Sequence, residues 1–424
     1  MCNKKIVKSF FKKAGLTIVV LIIGILLGFG ALCLVHLLPV DRMFQNVLHS
    51  QDVINSHAEL IPGYESTTID NYTDSIMLNE AICPFDGPLI EKVIYNNQVN
   101  YYRQYDQQEN LLRYLQGEDG YGYQGYSHYW GGHQIFLKLL LLWFDHADIL
   151  VINMILQTLL MISVVIGLYQ AGKKHIILPF LVALLSIMPM VIAICLQYND
   201  VYYITMLGSC FIIWKFDKIK AERMYLLFLI LGMATSYFDF LTYPFVSLGI
   251  PLVLFLIFVN KEKLSKQLFY TIQCSALWCI GYLGMWSGKW ILASILMPEK
   301  DMIGRALISI KYRSSSYAGG MSVNVFDVLL ENLFVYLKWP TILLIGITGI
   351  YLLIKIFKSK SINKHVVATC IIYIFICLYP VAWYMIAKNH SYEHSFMTYR
   401  ELAITTFSGL CMLAELGKSQ SQTL

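Results

Sequence analysis

Long apolar blocks constrain this chain more than any other feature of its sequence. The block at 16–39 contains no Lys, Arg, Asp or Glu, and one helix across a bilayer needs about 20 apolar residues. Charged residues make up 14% of the chain and mean hydropathy is +0.58, whereas soluble domains carry about 25% charged residues. A cytosolic enzyme, a secreted domain and a disordered chain are excluded. The sequence predicts an all-α, polytopic membrane protein.

We predict about ten transmembrane helices. The basic residues before the first apolar block, and the length of that block, favour a membrane anchor over a signal peptide. Pro189 and the polar run 197–200 predict that the third and fourth helices are short or broken. The apolar run 135–144 is too short to cross, so we expect it to lie at the interface or to re-enter. The predicted spans are 16–39, 147–171, 176–196, 200–216, 224–241, 244–259, 268–296, 339–357, 366–387 and 400–416.

The distribution of basic residues predicts the orientation. More than half of the 32 Lys and Arg residues lie in the two termini and in four short loops near 172–175, 215–223, 260–267 and 355–365. Short basic loops face the cytoplasm, so we expect a multi-pass protein of the plasma membrane with both termini cytoplasmic. The net charge of +5 is small and its basic residues are scattered among spans. Nucleic acid is therefore not an expected partner.

Two long connections fall on the predicted outer side. The first contains many Tyr, Asn, Gln and Asp residues, and two amphipathic helices are predicted in it, at 41–58 and 105–116. A loop of this length is usually functional or a linker, and this composition is not that of a linker. The predicted parts are an N-terminus with the first span (1–39), an outer loop (40–134), a membrane bundle (135–296), a second outer loop (297–338) and the C-terminal spans with a tail (339–424).

The first polar cluster lies at 67–74 in the outer loop. Asp70 and Asp74 are four residues apart, which places both carboxylates on one face if the segment is helical. A partly buried pair of acids near a membrane could supply a general base. The alternative is capping, because Asp and Thr are common at the start of a helix, here one that continues through 76–78.

The second polar cluster lies at 126–134. Tyr129 and Trp130 are typical of an aromatic belt at the membrane interface. His128 and His133 are not typical of a belt, and they could bind a phosphate, an acceptor hydroxyl or a metal. Two histidines without a third ligand do not make a metal motif, and the chain has no CxxC and no Cys/His pattern with zinc spacing. No metal site is predicted.

The third polar cluster, at 390–401, lies between the last two predicted spans. His390 and His394 are four residues apart, and Arg400 stands at the start of the last span. Arginine suits a phosphate at the membrane surface. The alternative is an arginine that snorkels from a helix end to the interface.

Further charges lie in or near apolar stretches. Ionisable residues within a membrane are functional candidates by default, and Lys289, flanked by two tryptophans, is the best of these. Arg305 adds positive charge on the second outer loop, as do Lys311 and Arg313. All the candidates face outward, and their mixed signs suit an acidic base beside a cationic site for phosphate.

The layout resembles the GT-C superfamily of integral-membrane glycosyltransferases. Members have a cytoplasmic N-terminus, a first span followed by a long ordered outer loop with an essential acid and two interfacial helices, and about ten spans. The matching residues are the outer-loop acids Asp70 and Asp74 and the pair Tyr129-Trp130 before the second span. GT-C enzymes often have adjacent acids, or an acid directly after the first span. Here Asp41 follows the span, and the acids of the cluster are four residues apart.

The resemblance implies a sugar donor linked to a lipid phosphate, in particular a polyprenyl phosphate, and no cofactor. Asp70 or Asp74 would deprotonate an acceptor hydroxyl of an envelope glycan, a teichoic acid or a lipid. Arg400, with Lys289 or Arg305, would hold the leaving phosphate, where stabilising charge is most needed. The lipid would lie in an apolar groove among the spans, in contact with membrane lipids.

Three other functions fit the same predicted architecture. A polymerase or flippase for lipid-linked oligosaccharides would have a large polar cavity among the spans. A secondary transporter would have paired broken helices around a site at the membrane midplane, and only the region 189–200 suggests one. A membrane scaffold would use the aromatic outer loop as an interaction surface.

Overall fold

The computed structural model describes residues 2–54, 58–102, 105–359 and 364–418. The chain is mostly helical, which confirms the helical class predicted from the apolar blocks. In chain order the α-helices are α1 (Cys2–His36), α2 (Asp41–His49), α3 (Gln51–Ile54), α4 (Asn71–Ile82), α5 (Leu89–Tyr95), α6 (Gln107–Leu115), α7 (Gln134–Leu141), α8 (His146–Gln170), α9 (Lys174–Leu185), α10 (Pro189–Ala193), α11 (Leu196–Lys215), α12 (Tyr225–Phe238), α13 (Val246–Phe258), α14 (Leu264–Leu296), α15 (Met302–Arg313), α16 (Val325–Tyr336), α17 (Trp339–Lys358), α18 (Lys364–Cys377), α19 (Tyr379–Ile386), α20 (Lys388–Glu393), α21 (Ser395–Thr398) and α22 (Ala403–Leu416).

The remaining regular elements are short. Two antiparallel strand pairs lie in the long connections, β1 (Asn97–Asn100) with β2 (Gly122–Gly125) and β3 (Tyr317–Ala318) with β4 (Met321–Ser322). Single 3-10 turns occur at Glu65–Thr67, Phe216–Lys218, Ala221–Arg223 and Tyr399–Leu402.

Five helical segments of the described chain are long and apolar enough to cross a membrane, and they indicate a membrane-embedded protein. These are Phe11–His36, His146–Gln170, Leu264–Leu296, Trp339–Lys358 and Val366–Ile386. The other five predicted spans coincide with helices that are shorter or more polar, namely α9 with α10, α11, α12, α13 and α22.

The chain breaks where Pro189 predicted a break. Helix α9 ends at Leu185, and Met188 has a φ of +55°, in the left-handed region that non-glycine residues rarely adopt. Pro189 then takes the first position of α10, where its missing N–H costs no helical hydrogen bond. The polar run 197–200 does not interrupt a helix, because it lies within the first turns of α11.

The long connection after α1 forms a small domain with its own apolar core. Met43 and Val47 of α2 pack with Leu78 of α4, Leu111 of α6 and Leu137 of α7, all of them buried. Burying one such side chain contributes about 1.5–3 kcal/mol relative to leaving it in water. The core holds this domain in a defined shape on one side of the bundle, where α1 ends and α8 begins, which we call the loop face.

The predicted loop helices are present in the structure. The segment 41–58 contains α2 and α3, and its residues 55–57 lie outside the described residues. The segment 105–116 contains α6, whose N-cap Asp106 accepts a hydrogen bond from the Glu109 backbone N–H at 2.7 Å. The apolar run 135–144 forms α7, a helix of 8 residues.

Helix α15 lies across the end of α14 at the loop face. Met302 and Ala306 of α15 are buried against Trp290 and Met297. The Asp301 carboxylate caps the helix by accepting from the Gly304 backbone N–H at 2.8 Å. This packing fixes α15, and with it the position of its last residue.

Candidate active site

The first and third polar clusters meet at the loop face. The Ser395 hydroxyl donates to a carboxylate oxygen of Glu65 at 2.9 Å, and the Tyr399 hydroxyl donates to the Ser66 carbonyl at 2.8 Å. These bonds join segments separated by 330 residues or more. They hold the turn that leads into Asp70 against the segment that carries His394.

Helix α15 joins the third cluster through its last residue. The Arg313 guanidinium donates to Nδ1 of His390 at 2.7 Å. Three residues further along the chain, the Ser316 hydroxyl lies 2.6 Å from Nζ of Lys388. The cationic end of α15 is therefore fixed beside α20.

The second cluster reaches α15 from the other side. Nδ1 of His128 lies 2.9 Å from the Ser309 hydroxyl, and the Arg313 guanidinium lies 5.4 Å from the centre of the Tyr129 ring. A cation over an aromatic face is attracted by the ring quadrupole. The second and third polar clusters therefore meet at one arginine, and the turn before Asp70 is hydrogen-bonded to the third. We call Asp70, Tyr129, Arg313, His390 and His394 the Arg313 cluster.

The hydrogen bonds of His390 assign its protonation. A guanidinium has no acceptor, so Nδ1 of His390 must accept from Arg313. A carbonyl has no donor, so Nε2, which lies 2.7 Å from the Leu241 carbonyl, must carry the proton. Burial lowers the pKa of His390 well below 6.5, and the neighbouring Arg313 charge lowers it further. His390 is thus neutral and holds the guanidinium in place.

The carbonyl that accepts from His390 belongs to a strained residue. Leu241 has a φ of +67°, although it carries a branched side chain. Such a conformation costs of order 1–3 kcal/mol and persists only where the surroundings enforce it. Strain of this kind is concentrated at functional sites, and here it directs a carbonyl to the Arg313 cluster.

The ring nitrogens of His394 are available to hydrogen-bond to a ligand. Its ring is half-buried, its centre lies 4.7 Å from that of His390, and its nitrogens make no hydrogen bond to any residue the structure describes. Burial lowers the pKa of His394 and so does Arg313, while the Asp70 charge acts in the opposite direction. The charges of an acid and of a cation therefore act on this imidazole in opposite directions.

Asp70 is the N-cap of α4, as the capping alternative predicted. Its carboxylate accepts from the backbone N–H of Thr73 at 3.0 Å and from the Thr73 hydroxyl at 2.8 Å. The Gln197 side-chain amide also donates to it. Capping leaves a carboxylate charged and oriented, so this role is compatible with a second role as a base.

Asp74 serves a different helix. One of its carboxylate oxygens accepts from the backbone N–H of Leu196 at 2.8 Å and the other from that of Gln197 at 3.1 Å. These are among the first N–H groups of α11, which have no partner within their own helix. Asp74 is 4% exposed. Its carboxylate therefore joins the loop domain to the start of α11, and both oxygens are occupied.

We predict that Asp74→Asn lowers the free energy of unfolding by about 1–3 kcal/mol. The amide places an NH₂ donor where the carboxyl group, charged or protonated, has a second oxygen with acceptor capacity, so one buried N–H of α11 loses its partner. Thermal unfolding of the purified protein in detergent would show a lower midpoint. An unchanged midpoint would contradict this assignment.

The same residue predicts a pH dependence of stability. Burial raises the pKa of Asp74 from 3.8 to about 7 in the folded protein. A raised pKa contributes stability that is complete below the unfolded value and is lost as pH rises through the folded value. The stability advantage of the wild type over Asp74→Asn should therefore be larger at about pH 5 than at about pH 8, as measured by paired unfolding curves.

Two glycines bring the second cluster close to α12. Gly131 has a φ of +77°, and a Cβ on Gly132 would lie 2.6 Å from the Tyr237 carbonyl, closer than a side chain can approach. The backbone N–H of Gly132 donates to that carbonyl at 3.1 Å. The Trp130 indole is buried and donates to the Met285 carbonyl at 2.8 Å, so it anchors the segment to α14.

His133 contacts Phe240 and Glu80 and none of the residues of the Arg313 cluster among those the structure describes. Its ring centre lies 4.8 Å from that of Phe240, and its Nε2 lies 3.4 Å from a carboxyl oxygen of Glu80. The Gln134 amide donates to the same oxygen at 3.2 Å. Burial lowers the pKa of His133 to about 3, so the ring is neutral and the contact is not an ion pair.

Lys289 and Arg305 lie around the second cluster. The Lys289 ammonium donates to the Tyr129 carbonyl. Burial lowers the pKa of His128, and the charges of Arg313, Lys289 and Arg305 lower it further. The positive charges of Lys289 in α14 and of Arg305 and Arg313 in α15 therefore all act on His128 at the loop face.

Arg400 occupies the protein interior. It is 0% exposed, and its guanidinium donates to the carbonyls of Ile187 at 3.1 Å and Phe396 at 3.0 Å. It also lies 4.1 Å from the centre of the Tyr198 ring. A snorkelling arginine would reach the surface, and this one does not. Its contacts join the break before α10 to the segment that leads into α22.

Three residues have a larger part in the structure than their sequence positions predict. In the sequence Arg313 is one of several charges on the second outer loop, yet it contacts the second and third clusters. Glu80 and Lys138 are buried polar residues that were not singled out. Lys138 could have been found, because it is a charged residue in the apolar run 135–144, the same signal that identified Lys289.

Comparisons of the chain with protein-family models, with curated proteins and with solved structures find no match. Among the described residues there is also no group of three or more His, Cys, Asp or Glu side chains placed to hold a metal ion.

Proposed function

We propose that the protein is an integral-membrane glycosyltransferase. It would move a sugar from a polyprenyl-phosphate donor to a glycan or lipid acceptor of the cell envelope. The observation that carries the proposal is that the turn before Asp70 is hydrogen-bonded to the segment of His394. The ring of His394 lies 4.7 Å from that of His390, which holds the Arg313 guanidinium. Glycosyl transfer from a lipid phosphate needs a base for the acceptor and a positive charge for the leaving group.

In the proposed step the oxygen of an acceptor hydroxyl attacks the anomeric carbon of the donor. Its proton passes to the Asp70 carboxylate. The bond between the anomeric carbon and the phosphate oxygen breaks, and the electron pair leaves with the polyprenyl phosphate. A single displacement of this kind inverts the configuration at the anomeric carbon.

We assign the leaving phosphate to Arg313. Its guanidinium is half-buried, so its charge acts in a medium of lower dielectric than water, and neutral His390 orients it. His394 would donate a hydrogen bond to a phosphate oxygen. Lys289 and Arg305 would add positive potential, because their charges act on His128 as that of Arg313 does. No cofactor is proposed, since the lipid-linked sugar is itself the donor substrate.

Asp70 is preferred to Asp74 as the base. Both acids are largely buried, at 8% and 4% exposure. Both acids accept hydrogen bonds with both oxygens, Asp70 from Thr73 and the Gln197 side chain and Asp74 from two backbone N–H groups at the start of α11. Neutralising Asp74 would leave those groups without full acceptors, whereas Asp70 acts electrostatically on His394 of the Arg313 cluster.

The same proposal places the site in the membrane. The five apolar helical segments would be completed by α9 with α10, α11, α12, α13 and α22 to give about ten spans. The short basic loops would face the cytoplasm with both termini, which puts the loop face on the outer side of the plasma membrane.

The test is sugar transfer by the purified full-length protein in liposomes. Radiolabelled polyprenyl-phosphate sugars serve as donors and a crude envelope fraction as acceptor. The expected result is label in the acceptor fraction with at least one donor. If no donor supports transfer, and lipid-linked oligosaccharides are instead polymerised or moved across the membrane, the alternative function of polymerase or flippase replaces this one.

A further inference from the structure

A polar cavity lies at the end of α1. Its volume is about 420 Å³, and it contains none of the residues of the Arg313 cluster. It opens between the end of the first span and the loop domain. The lining residues are His36, Leu37, Leu38, Pro39, Val40, Asp41, Glu80, Cys83, Pro84, Phe85, Asp86, Lys92, Asn97 and Lys138.

Buried polar atoms without full partners line this cavity. Glu80 is 2% exposed, and its Oε1 has no hydrogen-bond partner among the described residues. Nε2 of His36 is also buried and without a partner in that part of the chain. The Lys138 ammonium, 2% exposed, donates to the Ala81 carbonyl at 2.6 Å. An ammonium has three donors, so it has capacity for a ligand.

The inner groups of the cavity are hydrogen-bond donors. Burial lowers the pKa of Lys138 only to about 8, so it stays mostly charged at neutral pH. Burial also raises the pKa of Glu80 well above 4.5, which favours the protonated carboxyl group, a form that can donate a hydrogen bond. Lys92 adds a half-buried positive charge. The opposing charges, Asp41 and Asp86, are exposed and therefore solvated.

The other wall of the cavity is apolar. Leu37, Leu38, Pro39 and Val40 follow the last turn of α1, and that helix is long and apolar enough to span a membrane. Leu37 is 67% exposed. A wall of this kind beside the end of a span suits a molecule that has an acyl or prenyl chain. A soluble anion would gain nothing from it.

We propose that this cavity binds the phosphate-bearing head group of a membrane amphiphile, with Lys138 and Lys92 as the phosphate ligands. Lysine binds phosphate as a compact point charge. Glu80 and His36 hydrogen-bond to the remaining head-group oxygens, and the chain of the amphiphile lies along 37–40. The site is separate from the Arg313 cluster, and its occupancy does not depend on whether the protein transfers sugar.

The experiment measures lipid binding to the purified full-length protein in detergent, by native mass spectrometry and by the shift of the unfolding midpoint. Dioctanoyl phosphatidic acid is the probe, dioctanoylglycerol is the matched amphiphile without phosphate, and inorganic phosphate is the anion without a chain. We expect saturable binding of the phosphatidic acid alone. Lys138→Met should weaken it by at least about tenfold, because a charge-assisted hydrogen bond is lost.

Two further variants make the result decisive. Lys300→Gln removes an exposed lysine that does not line the cavity, and it should leave binding unchanged. Lys92→Gln alters the half-buried lysine, so it provides the test if Lys138→Met does not fold. Absence of saturable binding, equal binding of dioctanoylglycerol or inorganic phosphate, or binding unaffected by either cavity variant would each overturn the proposal.

Discussion

Replacing Asp70 by Asn should lower the rate of sugar transfer by at least about 100-fold, the range expected when a general base is removed. The substitution replaces the oxygen that accepts from the Thr73 hydroxyl and the Gln197 amide, and it keeps the oxygen that caps the helix. Asn caps a helix as well as Asp does, so α4 keeps a side-chain acceptor for the Thr73 backbone N–H. The change removes the charge and the basicity, and leaves the cap. Initial rates at equal amounts of folded protein would measure the effect.

A matched control exists for this variant. Asp106 is the N-cap of α6 in the same loop domain, is exposed, and accepts from the Glu109 backbone N–H at 2.7 Å. Asp106→Asn should therefore retain normal transfer. If Asp70→Asn is as active as the control, Asp70 is not the base. The residues to examine next are then Asp41, Glu65 and Asp239, a buried acid directly after α12.

Replacing Arg313 by Gln should lower kcat by about 100- to 1000-fold, the loss typical of removing one preorganised group that stabilises transition-state charge. Glutamine can still donate one hydrogen bond to His390, but it has no charge for the leaving phosphate. Arg313→Lys keeps the charge and loses the planar geometry, so it should recover part of the rate. Because the charge on the phosphate grows as the bond breaks, kcat should fall more than KM rises.

Lys311 provides the control for the arginine. It lies two residues before Arg313 on the same helix and is exposed. Lys311→Gln removes one positive charge from the same surface, so it should change transfer little. Equal losses in both variants would show that only the overall charge of α15 matters, and would contradict a specific role for Arg313.

The helical class was predictable, because the helical class of a chain depends on its local composition. The block at 16–39 is apolar around its whole circumference, and it forms a helix through His36. The lengths of the individual helices were less predictable. The predicted span 176–196 is divided at Met188, whose left-handed backbone depends on how the chain packs on both sides of the break. Pro189 marked the position of the break, but not its geometry.

The site was predictable in parts and not as a whole. Each polar cluster was visible as a local excess of acids, histidines or aromatic residues. Their meeting was not visible, because it depends on contacts such as Ser395 with Glu65 that join the two ends of the chain. Arg400 and Arg313 look alike in sequence. Only packing separates them, since one is enclosed by carbonyls and tyrosine rings and the other remains half-buried at the loop face.

Glu80 shows a second limit of sequence reasoning. Residues 74–82 of α4 are buried on every face, so its polar residues follow no periodic pattern. A periodic signal distinguishes a buried face from an exposed one, and a fully buried helix has only one kind of face. Glu80 and Asn79 therefore became visible as interior polar residues only in the folded chain.

The central claim is that the Arg313 cluster transfers a sugar from a lipid phosphate. The most direct measurement uses wild-type protein in liposomes and a polyprenyl-phosphate sugar labelled on both the sugar and the phosphorus. We predict that each sugar transferred releases one polyprenyl phosphate, and that the product has the inverted anomeric configuration. Absence of transfer with every donor, or arrival of the phosphorus label in the acceptor together with the sugar, would contradict the claim.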